Sequence, residues 1–513
     1  MTDNVIIAAE TYRVEEVRDA TRVTCGGGAA TEPAERRNAK GPCAPYRLDN
    51  EKGAPGMSNR PSRRRPPASL ALLILATALI GAVVVGCGGS ESGGESGKKT
   101  LTVAIVNNPI MQDIAKLTPS LFTKKTGIKV KYTIPAEGVL REIITRDVSA
   151  GAGQFDVIMI GPYEAPQFGT NGWIKDLTPY AQKDQSYDEG DLIPAVKNAL
   201  SANGKMYASP FYGESSFVMY RKDVLAAKGI TMPAKPTWDQ IAAIARKIDS
   251  PQMAGICLRG KPGWGDLGAS FTTVLNTFGG TWWSATPDGK VDKAQVDQPE
   301  FKKALQFYVD LVQSAGEDDA ANSSFNECLT QYQQGKVAMW YDATVAASSL
   351  EANDSPVKGK NGYAPAPVEK TPASGWLWTW ALAIPQNASD PDTAWKYISW
   401  ATGPDYIKAA GTKIPGGWAA IPPGTRLSTY QIPQYEQAAK AFAQQTVDSM
   451  KAAPIDNPGT TPRPGLPGVQ YVGIPQFQDV GNRCTQLFSS AISGQTSVDD
   501  ALSQCQEIAS AIS

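Results

Sequence analysis

The sequence contains no histidine in its 513 residues. Histidine is the usual general base at neutral pH and the commonest metal ligand in proteins. Its absence excludes histidine metal sites and the Ser-His-Asp and Cys-His systems of nucleophilic catalysis. Catalysis by carboxylates alone, as in glycosidases, is not excluded.

The chain also lacks an excess of charge of either sign. It has 49 Lys and Arg residues against 50 Asp and Glu residues, which gives a formal net charge of −1. Neither a basic surface nor an acidic tail is indicated, so we expect no nucleic-acid partner. The length exceeds that at which a single hydrophobic core usually stops growing, which predicts two domains or lobes.

Long apolar runs are scarce, and the only one lies between Ala68 and Val85. Arginines cluster in residues 60–65 before it, and Gly86 and Cys87 follow it. A basic segment, an apolar segment and a small residue before the cleavage site are typical of a secretory signal. The Val-Val-Gly-Cys ending resembles the lipobox of bacterial lipoproteins, in which the cysteine becomes the acylated first residue. We therefore predict a signal peptide rather than a transmembrane helix followed by a chance cysteine.

The predicted signal peptide covers residues 57–86 and starts at an internal methionine. Residues 1–56 show no sustained periodicity, and we interpret them as a mis-assigned start or a disordered leader. Residues 87–99 are rich in Gly, Ser and Lys, which predicts a flexible tether. The protein is thus expected to be extracytoplasmic and anchored to membrane lipid through Cys87. The arginines allow twin-arginine export, but two prolines replace the apolar residues of that motif, so the export route stays open.

Four cysteines remain in the part that follows the tether, namely Cys257, Cys328, Cys484 and Cys505. Four cysteines in an exported protein suggest two disulfides. Residues 474–492 and 496–511 have the pattern of two amphipathic helices, and an antiparallel hairpin of these helices would place Cys484 opposite Cys505. We therefore predict Cys484–Cys505, which leaves Cys257–Cys328 as the second pair. Four unpaired buried thiols are the alternative.

The exported part begins with alternating strands and helices. Residues 100–106, 128–134 and 155–161 have the apolar content of strands, and helices are predicted between them at 111–127 and 137–150. This order predicts a parallel sheet covered by helices. Later helices are predicted at 237–249, 299–315, 324–335 and 391–402.

Three tryptophans, Trp376, Trp378 and Trp380, occupy alternate positions in the segment SGWLWTWALAIP. Alternate side chains of a strand share one face, so the three indoles would form a ligand platform or a layer of the core. The strand is longer than one small-ligand site needs. We therefore expect Trp376 or Trp378 to reach a ligand and Trp380 to pack beneath.

Four segments follow one another in a characteristic order, namely FDVIMIGPYEAPQFGTNGWIKDL (155–177), SPFYGESSFVMYRKDVL (209–225), QGKVAMWYDATVAAS (334–348) and the C-terminal segment at 473–508. In this order and spacing the chain from residue 100 onward resembles the extracytoplasmic solute-binding proteins of ABC importers, in the large maltose-binding-like family. The motifs PFYGESSF, PGWGD, WYDATV, GWLWTWALAIP and PPGTRLSTY are most similar to the binding proteins for sugar alcohols such as sorbitol and mannitol.

The resemblance implies an α/β, two-lobed periplasmic-binding-protein-like fold of type II, with a β-sheet flanked by helices in each lobe and the ligand cleft between the lobes. The lobes would be residues 100–213 with 364–415, and residues 214–363 with 416–513. Such a protein is not an enzyme and needs no cofactor or metal ion. As a monomer, it would close on a small carbohydrate or polyol and deliver it to ABC permease subunits in the membrane.

A sugar alcohol presents C–H edges and hydroxyls, so its site needs aromatic faces and charged or amide groups. Glu214 lies at the predicted crossover, Trp264 in a Gly-rich loop, and Asp342 beside an aromatic pair. Replacing Asp342 by Ala is expected to abolish binding with little loss of fold. The complete set of predicted ligand-binding residues is Asn107, Asn108, Tyr163, Glu214, Arg259, Trp264, Asp342, Trp376, Trp378, Trp418 and Arg426.

Several of these residues have alternative roles. Asp342 could cap a helix that starts at Ala343. Asn107 and Asn108 could cap the helix that follows them, and Arg426 could form a surface ion pair.

Two other functions are alternatives to a receptor that binds sugar alcohols. The same fold could bind a di- or oligosaccharide, which the number of tryptophans also suits. A surface glycosidase would need two carboxylates about 5–10 Å apart, for which Glu214 and Asp342 are the candidates. Neither acid lies in a recognised catalytic motif, so the receptor is favoured.

Overall fold

The structure is a computed structural model that describes residues 100–512. The predicted leader (1–56), signal peptide (57–86), acylated Cys87 and tether (87–99) lie outside the described residues. Within residues 100–512, no helix combines the length and apolar character required to cross a membrane.

Two main β-sheets organise the described part of the chain. Its strands are, in order, β1 (Thr100–Ala104), β2 (Lys129–Thr133), β3 (Val157–Ile160), β4 (Ser201–Ala202), β5 (Lys205–Met206), β6 (Ser209–Glu214), β7 (Ser216–Arg221), β8 (Ala254–Cys257), β9 (Trp283–Ala285), β10 (Val291–Ala294), β11 (Val337–Ala343), β12 (Asn361–Pro365) and β13 (Trp378–Ala383). The first sheet has the order β2-β1-β3-β13-β6 and the second the order β12-β7-β11-β8. We call each sheet with its helices a lobe.

The helices that accompany these strands are α1 (Pro109–Thr118), α2 (Lys124–Thr126), α3 (Glu137–Ala150), α4 (Glu164–Thr170), α5 (Thr178–Lys183), α6 (Pro194–Ala199), α7 (Lys222–Ala227), α8 (Trp238–Ile248), α9 (Leu267–Phe278), α10 (Pro299–Ala315), α11 (Phe325–Gln333), α12 (Ala346–Leu350), α13 (Pro391–Thr402), α14 (Pro404–Lys413), α15 (Pro433–Ala439), α16 (Ala443–Ala452), α17 (Phe477–Ile492) and α18 (Val498–Ser510). Helices α3, α10 and α13 have the predicted bounds. Helices α1 and α2 are joined by a π-helical turn at Pro119–Thr123, and the run ends at Gly127, whose φ of 74° suits glycine.

The parallel arrangement predicted for the start of the chain is confirmed. Strand β1 pairs in parallel with both β2 and β3, and all four residues of β3 are buried. Strand β13 then joins this sheet antiparallel to β3 and β6. The tryptophan segment is therefore a strand from Trp378 onward, and Trp376 lies just before it.

The chain passes between the sheets at two places that lie close together. Strand β6 belongs to the first sheet and β7 to the second, with Ser215 alone between them. The chain returns between Pro365 and Trp378. The residues at which the lobes are best divided remain a prediction.

Both predicted disulfides are present, so the alternative of four free thiols is wrong. Cys484–Cys505 joins α17 to α18 in the C-terminal hairpin. Cys257–Cys328 joins the end of β8 to α11. All four cysteines are fully buried.

Candidate functional site

A cavity of about 80 Å³ lies where the two lobes meet. The first lobe and the returning chain line it with Val106, Asn107, Asn108, Ala136, Glu137, Arg141, Tyr212, Glu214, Trp376, Trp378 and Trp380. The second lobe side contributes Arg259, Lys261, Trp264, Gly265, Asp266, Ala269, Ser324, Phe325, Asn326, Glu327, Ala343, Val345 and Gln470. The wall therefore combines aromatic faces with charged and amide groups, as small-ligand sites do.

The Arg141 side chain, from the first turns of α3, lies among three indoles. Its guanidinium carbon is 4.1 Å from the ring centroid of Trp264, 4.9 Å from that of Trp378 and 4.8 Å from that of Trp380. Such cation–π contacts stabilise a buried cation. Because Trp264 belongs to the second lobe, this cluster also joins the lobes.

Two carboxylates fix the orientation of Arg141. Glu137 Oε1 accepts hydrogen bonds from Nε and Nη2 at 3.2 and 2.7 Å, and Glu164 accepts one from Nη1. Burial opposes the charged form of Arg141, but these carboxylates outweigh it and raise its pKa. The guanidinium thus stays charged inside the cavity wall.

A second buried ion pair holds Arg259. Its Nε and Nη2 donate to the two oxygens of Asp342 at 2.8 and 2.6 Å, and its Nη1 donates to the carbonyl of Gly265 at 2.8 Å. Asp342 is fully buried and also accepts from Trp340 Nε1 and from the Ala343 N–H. Asp342 therefore positions Arg259, which faces the cavity.

Glu214 ends strand β6 and differs from these paired acids. It is 5% exposed, and its Oε2 has no hydrogen-bond partner among the described residues. Burial raises the pKa of Glu214 well above its usual range, against the opposing effect of Arg259. Its carboxyl group is thus available to a group that enters the cavity.

Asp266 is a second buried acid, and within residues 100–512 it forms no ion pair. Asp266 is 5% exposed, and its Oδ1 accepts a hydrogen bond from the Ser324 hydroxyl. Burial, together with the nearby Glu137 carboxylate, raises the pKa of Asp266 to about 6.

Three further polar atoms of the wall have no hydrogen-bond partner within the described part of the chain. They are the indole Nε1 donors of Trp264 and Trp378 and the Oε1 acceptor of Gln470. Buried polar atoms are normally paired, and each unpaired one costs free energy. When Glu214 Oε2 is counted as the second acceptor, two donors and two acceptors of the wall are unpaired within residues 100–512.

Comparisons with known proteins agree with this geometry. A family profile for bacterial extracellular solute-binding proteins matches residues 104–408. The chain belongs to this solute-binding protein family. A mannitol-binding protein of Pseudomonas aeruginosa is 39% identical over 420 residues, which cover 80% of this chain and 92% of that protein.

Solved structures of other proteins have the same fold as this solute-binding protein. An ABC transporter solute-binding protein from Agrobacterium vitis S4 with bound D-mannitol is 45% identical and has a TM-score of 0.76, covering 80% of this chain and 97% of the other. A ribitol complex from Agrobacterium radiobacter K84, at 23% identity and a TM-score of 0.69, covers 81% and 98% and shows the fold alone. The two-lobed α/β fold expected from the sequence is confirmed.

The structure of this solute-binding protein brings seven of the predicted site residues to the cavity: Asn107, Asn108, Glu214, Arg259, Trp264, Trp376 and Trp378. Asn108 also caps α1, since its side chain accepts from the Met111 N–H at 3.0 Å, while its amide donates to the Tyr212 hydroxyl. The capping alternative and the cavity position thus both hold for Asn108. Trp380 lines the cavity as well, contrary to the expectation that it packs beneath. It shares one face of β13 with Trp378, and the Arg141 guanidinium lies against both rings.

The other four predicted residues do not line the cavity. Arg426 is fully buried and donates to the carbonyls of Tyr187, Asp188 and Thr402. It also forms an ion pair with Asp191 at 3.3 Å, so the ion pair of the alternative is present but is not on the surface. Trp418 packs over Gly411 of α14, where an added Cβ would overlap its ring.

Tyr163 and Asp342 act behind the wall instead. The Tyr163 ring lies 4.6 Å from that of Trp264, and its hydroxyl donates to the carbonyl of Ile474 at 3.0 Å. Asp342 is inside strand β11, and the following helix starts at Ala346, so the helix-cap alternative is wrong. Asp342 is bonded to Arg259 and does not line the cavity, whereas Glu214 does.

Sequence reasoning missed several wall residues, chiefly Glu137, Arg141, Asp266 and Gln470. Glu137 and Arg141 carried a usable signal. They are an acid and a base four residues apart at the start of a helix that follows a parallel strand, and ligands bind at the carboxyl ends of such strands.

Proposed function

We propose that this solute-binding protein captures a small acyclic sugar alcohol of the mannitol class and delivers it to an ABC permease. The observation that carries the proposal is the cavity wall of indoles and unpaired polar atoms shared by the two lobes. The similarity to a mannitol-binding protein and to a mannitol-bound structure supports the same ligand class.

The chemistry of the wall suits a polyol. Indole faces of Trp264, Trp376 and Trp378 would pack against C–H edges, while the free indole N–H groups, Glu214 and Gln470 would bond to hydroxyls. The cavity of about 80 Å³ is well below the roughly 300–1,000 Å³ of drug-sized sites. This size favours a ligand of one sugar unit over a di- or oligosaccharide.

Capture would proceed by closure of the lobes. Asn326 of the second lobe donates to the carbonyl of Asn107 of the first at 2.7 Å, and Glu137 lies 3.8 Å from Arg259 across the same gap. A ligand that bonds to both walls binds the closed state better and shifts the population toward it. The permease would read that closed shape.

The proposal includes a membrane anchor. Acylation of Cys87 would hold the protein at the outer face of the membrane beside its permease. The Gly- and Ser-rich tether from 87 to 99 would give the lobes reach.

The test is calorimetric titration of the chain from Gly88 onward with sorbitol, mannitol, arabitol, glucose, maltose and trehalose. Saturable binding of a polyol that is recovered unchanged is the expected result. Binding of the disaccharides alone would contradict the ligand class.

A pair of variants locates the site. Trp264→Phe keeps an aromatic ring beside Arg141 but removes one N–H donor, so the Kd for the polyol should rise about 2- to 12-fold, the value of one hydrogen bond. Trp418→Phe, outside the cavity, is the matched control and should leave the Kd unchanged. Equal effects of the two variants would remove Trp264 from the site.

A further inference from the structure

The cavity wall holds more buried carboxylates than buried cations. Arg141 is bonded to both Glu137 and Glu164, and Arg259 is bonded to Asp342. Three carboxylates therefore already neutralise two guanidinium groups. Within residues 100–512 neither guanidinium forms an ion pair with Glu214 or Asp266, although Arg259 favours the ionisation of both acids.

Glu214 and Asp266 are the surplus. Both are 95% buried, since each is 5% exposed, and neither has a basic group within ion-pairing distance among residues 100–512. Lys261 also lines the cavity but is only partly buried, and within residues 100–512 it forms no ion pair. In their ionised forms Glu214 and Asp266 thus have a deficiency of positive charge around them, because among residues 100–512 neither forms an ion pair.

A ligand that brings a cation would correct this deficiency. We propose that the cavity also accepts sugar alcohols in which a terminal hydroxyl is replaced by a primary amine, with the ammonium bound at Glu214, and that it rejects the corresponding aldonate anions. An ammonium has three N–H donors and is close in size to the hydroxyl it replaces. This inference rests on the proposed polyol site and names a second ligand class for it.

Glu214 is the acid that fits this role. Its Oε2 is a buried acceptor with no partner in the described part of the protein, whereas Asp266 already accepts from Ser324. An ammonium–carboxylate bond is a charge-assisted hydrogen bond, stronger than the neutral bond that a hydroxyl would make there. A carboxylate on the ligand would instead repel the Asp266 carboxylate and oppose the ionisation of Glu214, and such a like-charge contact costs several kcal/mol at a buried interface.

Proton release provides an independent signature. Burial raises the pKa of Glu214 above its usual range, so the empty site favours the protonated acid. The charged groups that act on it are Arg259 and Arg141, which favour ionisation, and Asp342 and Glu137, which oppose it. An ammonium bound at Glu214 favours ionisation further, so a proton leaves to solvent. Sorbitol carries no charge and releases none.

The experiment compares three ligands of one carbon skeleton by calorimetry at pH 7.5, namely sorbitol, glucamine (1-amino-1-deoxysorbitol) and gluconate. Glucamine is expected to bind at least as tightly as sorbitol, and gluconate at least about 100-fold more weakly. Titrations in two buffers of different ionisation heat should show proton release for glucamine alone.

A matched pair of variants assigns the effect. Glu214→Gln should weaken glucamine binding at least about tenfold more than sorbitol binding, and Glu142→Gln on the exposed side of α3 should change neither. Sorbitol binding without glucamine binding would overturn the inference and leave the polyol function standing. Glucamine binding without any polyol binding would overturn the polyol function and leave the amine site standing. If neither sorbitol nor glucamine binds, both proposals are overturned.

Discussion

Removal of the Asp342 carboxylate tests the buried ion pair at the centre of the second lobe. The Asp342→Ala variant would leave Arg259, 5% exposed, with one hydrogen-bond acceptor at Gly265 and with the Glu137 carboxylate 3.8 Å away. It would also leave the Trp340 indole N–H and the Ala343 amide without their acceptor. Breaking a buried pair from one side costs about 3–5 kcal/mol, because an uncompensated charge stays buried. The variant should therefore lose that much free energy of unfolding.

The assay is urea denaturation followed by far-ultraviolet circular dichroism. Asp499→Ala is the matched control, because its ion pair with Lys302 is exposed and such pairs contribute less than about 1 kcal/mol. The double variant Arg259→Met with Asp342→Leu should recover most of the stability but not the ligand affinity. A loss of less than about 1 kcal/mol in Asp342→Ala would refute this account of the pair. The sequence alone predicts that Asp342→Ala loses binding with little loss of fold. The structure predicts that this variant loses ligand affinity and also free energy of unfolding.

Three further outcomes are expected. Cys257→Ser with Cys328→Ser should cost about 4 kcal/mol of unfolding free energy, against about 3 for the C-terminal hairpin disulfide, because the closed loops span 71 and 21 residues. The folded pKa of Asp266, about 6, lies above its ordinary value of 3.8, so the folded protein binds this proton more tightly than the unfolded chain does. The contribution of Asp266 to stability should therefore fall as pH rises from about 4 to about 6, which the difference in urea midpoint between the wild type and Asp266→Asn measures. Gly161→Ala should weaken polyol binding in calorimetry by about tenfold or more, since the added Cβ overlaps the Trp378 ring, whereas Gly190→Ala has room and should not.

Much of the fold follows from local signals. Proline at the first helical position marks the starts of α10 and α13, which have the predicted bounds. Strand β3 is apolar throughout because helices or strands cover it on every side. The disulfide pairing could also be predicted, because the similar spacing of Cys484 and Cys505 from Gly494 places them opposite each other in one hairpin.

The site was only partly predictable, because a polar residue near a cleft can either bind the ligand or hold the surrounding structure in place. Arg426 follows a rigid Pro-Pro-Gly loop, but backbone carbonyls and the Asp191 carboxylate of the first lobe accept its hydrogen bonds. Asp342 faces Arg259, a partner 83 residues away that no local pattern identifies. That Glu214 and Asp266 lack an ion pair among residues 100–512 became visible only when the contacts of each buried carboxylate were known.

The placement of the tryptophans gives the protein an optical property. Four of its twelve tryptophans, Trp264, Trp376, Trp378 and Trp380, surround one small cavity, and Arg141 lies against three of them. Indole emission depends on the polarity and the charges next to the ring. Entry of a ligand would therefore change the intrinsic fluorescence of the unlabelled protein. The ring of indoles that we propose as the ligand site would thus make the molecule a sensor for its ligand.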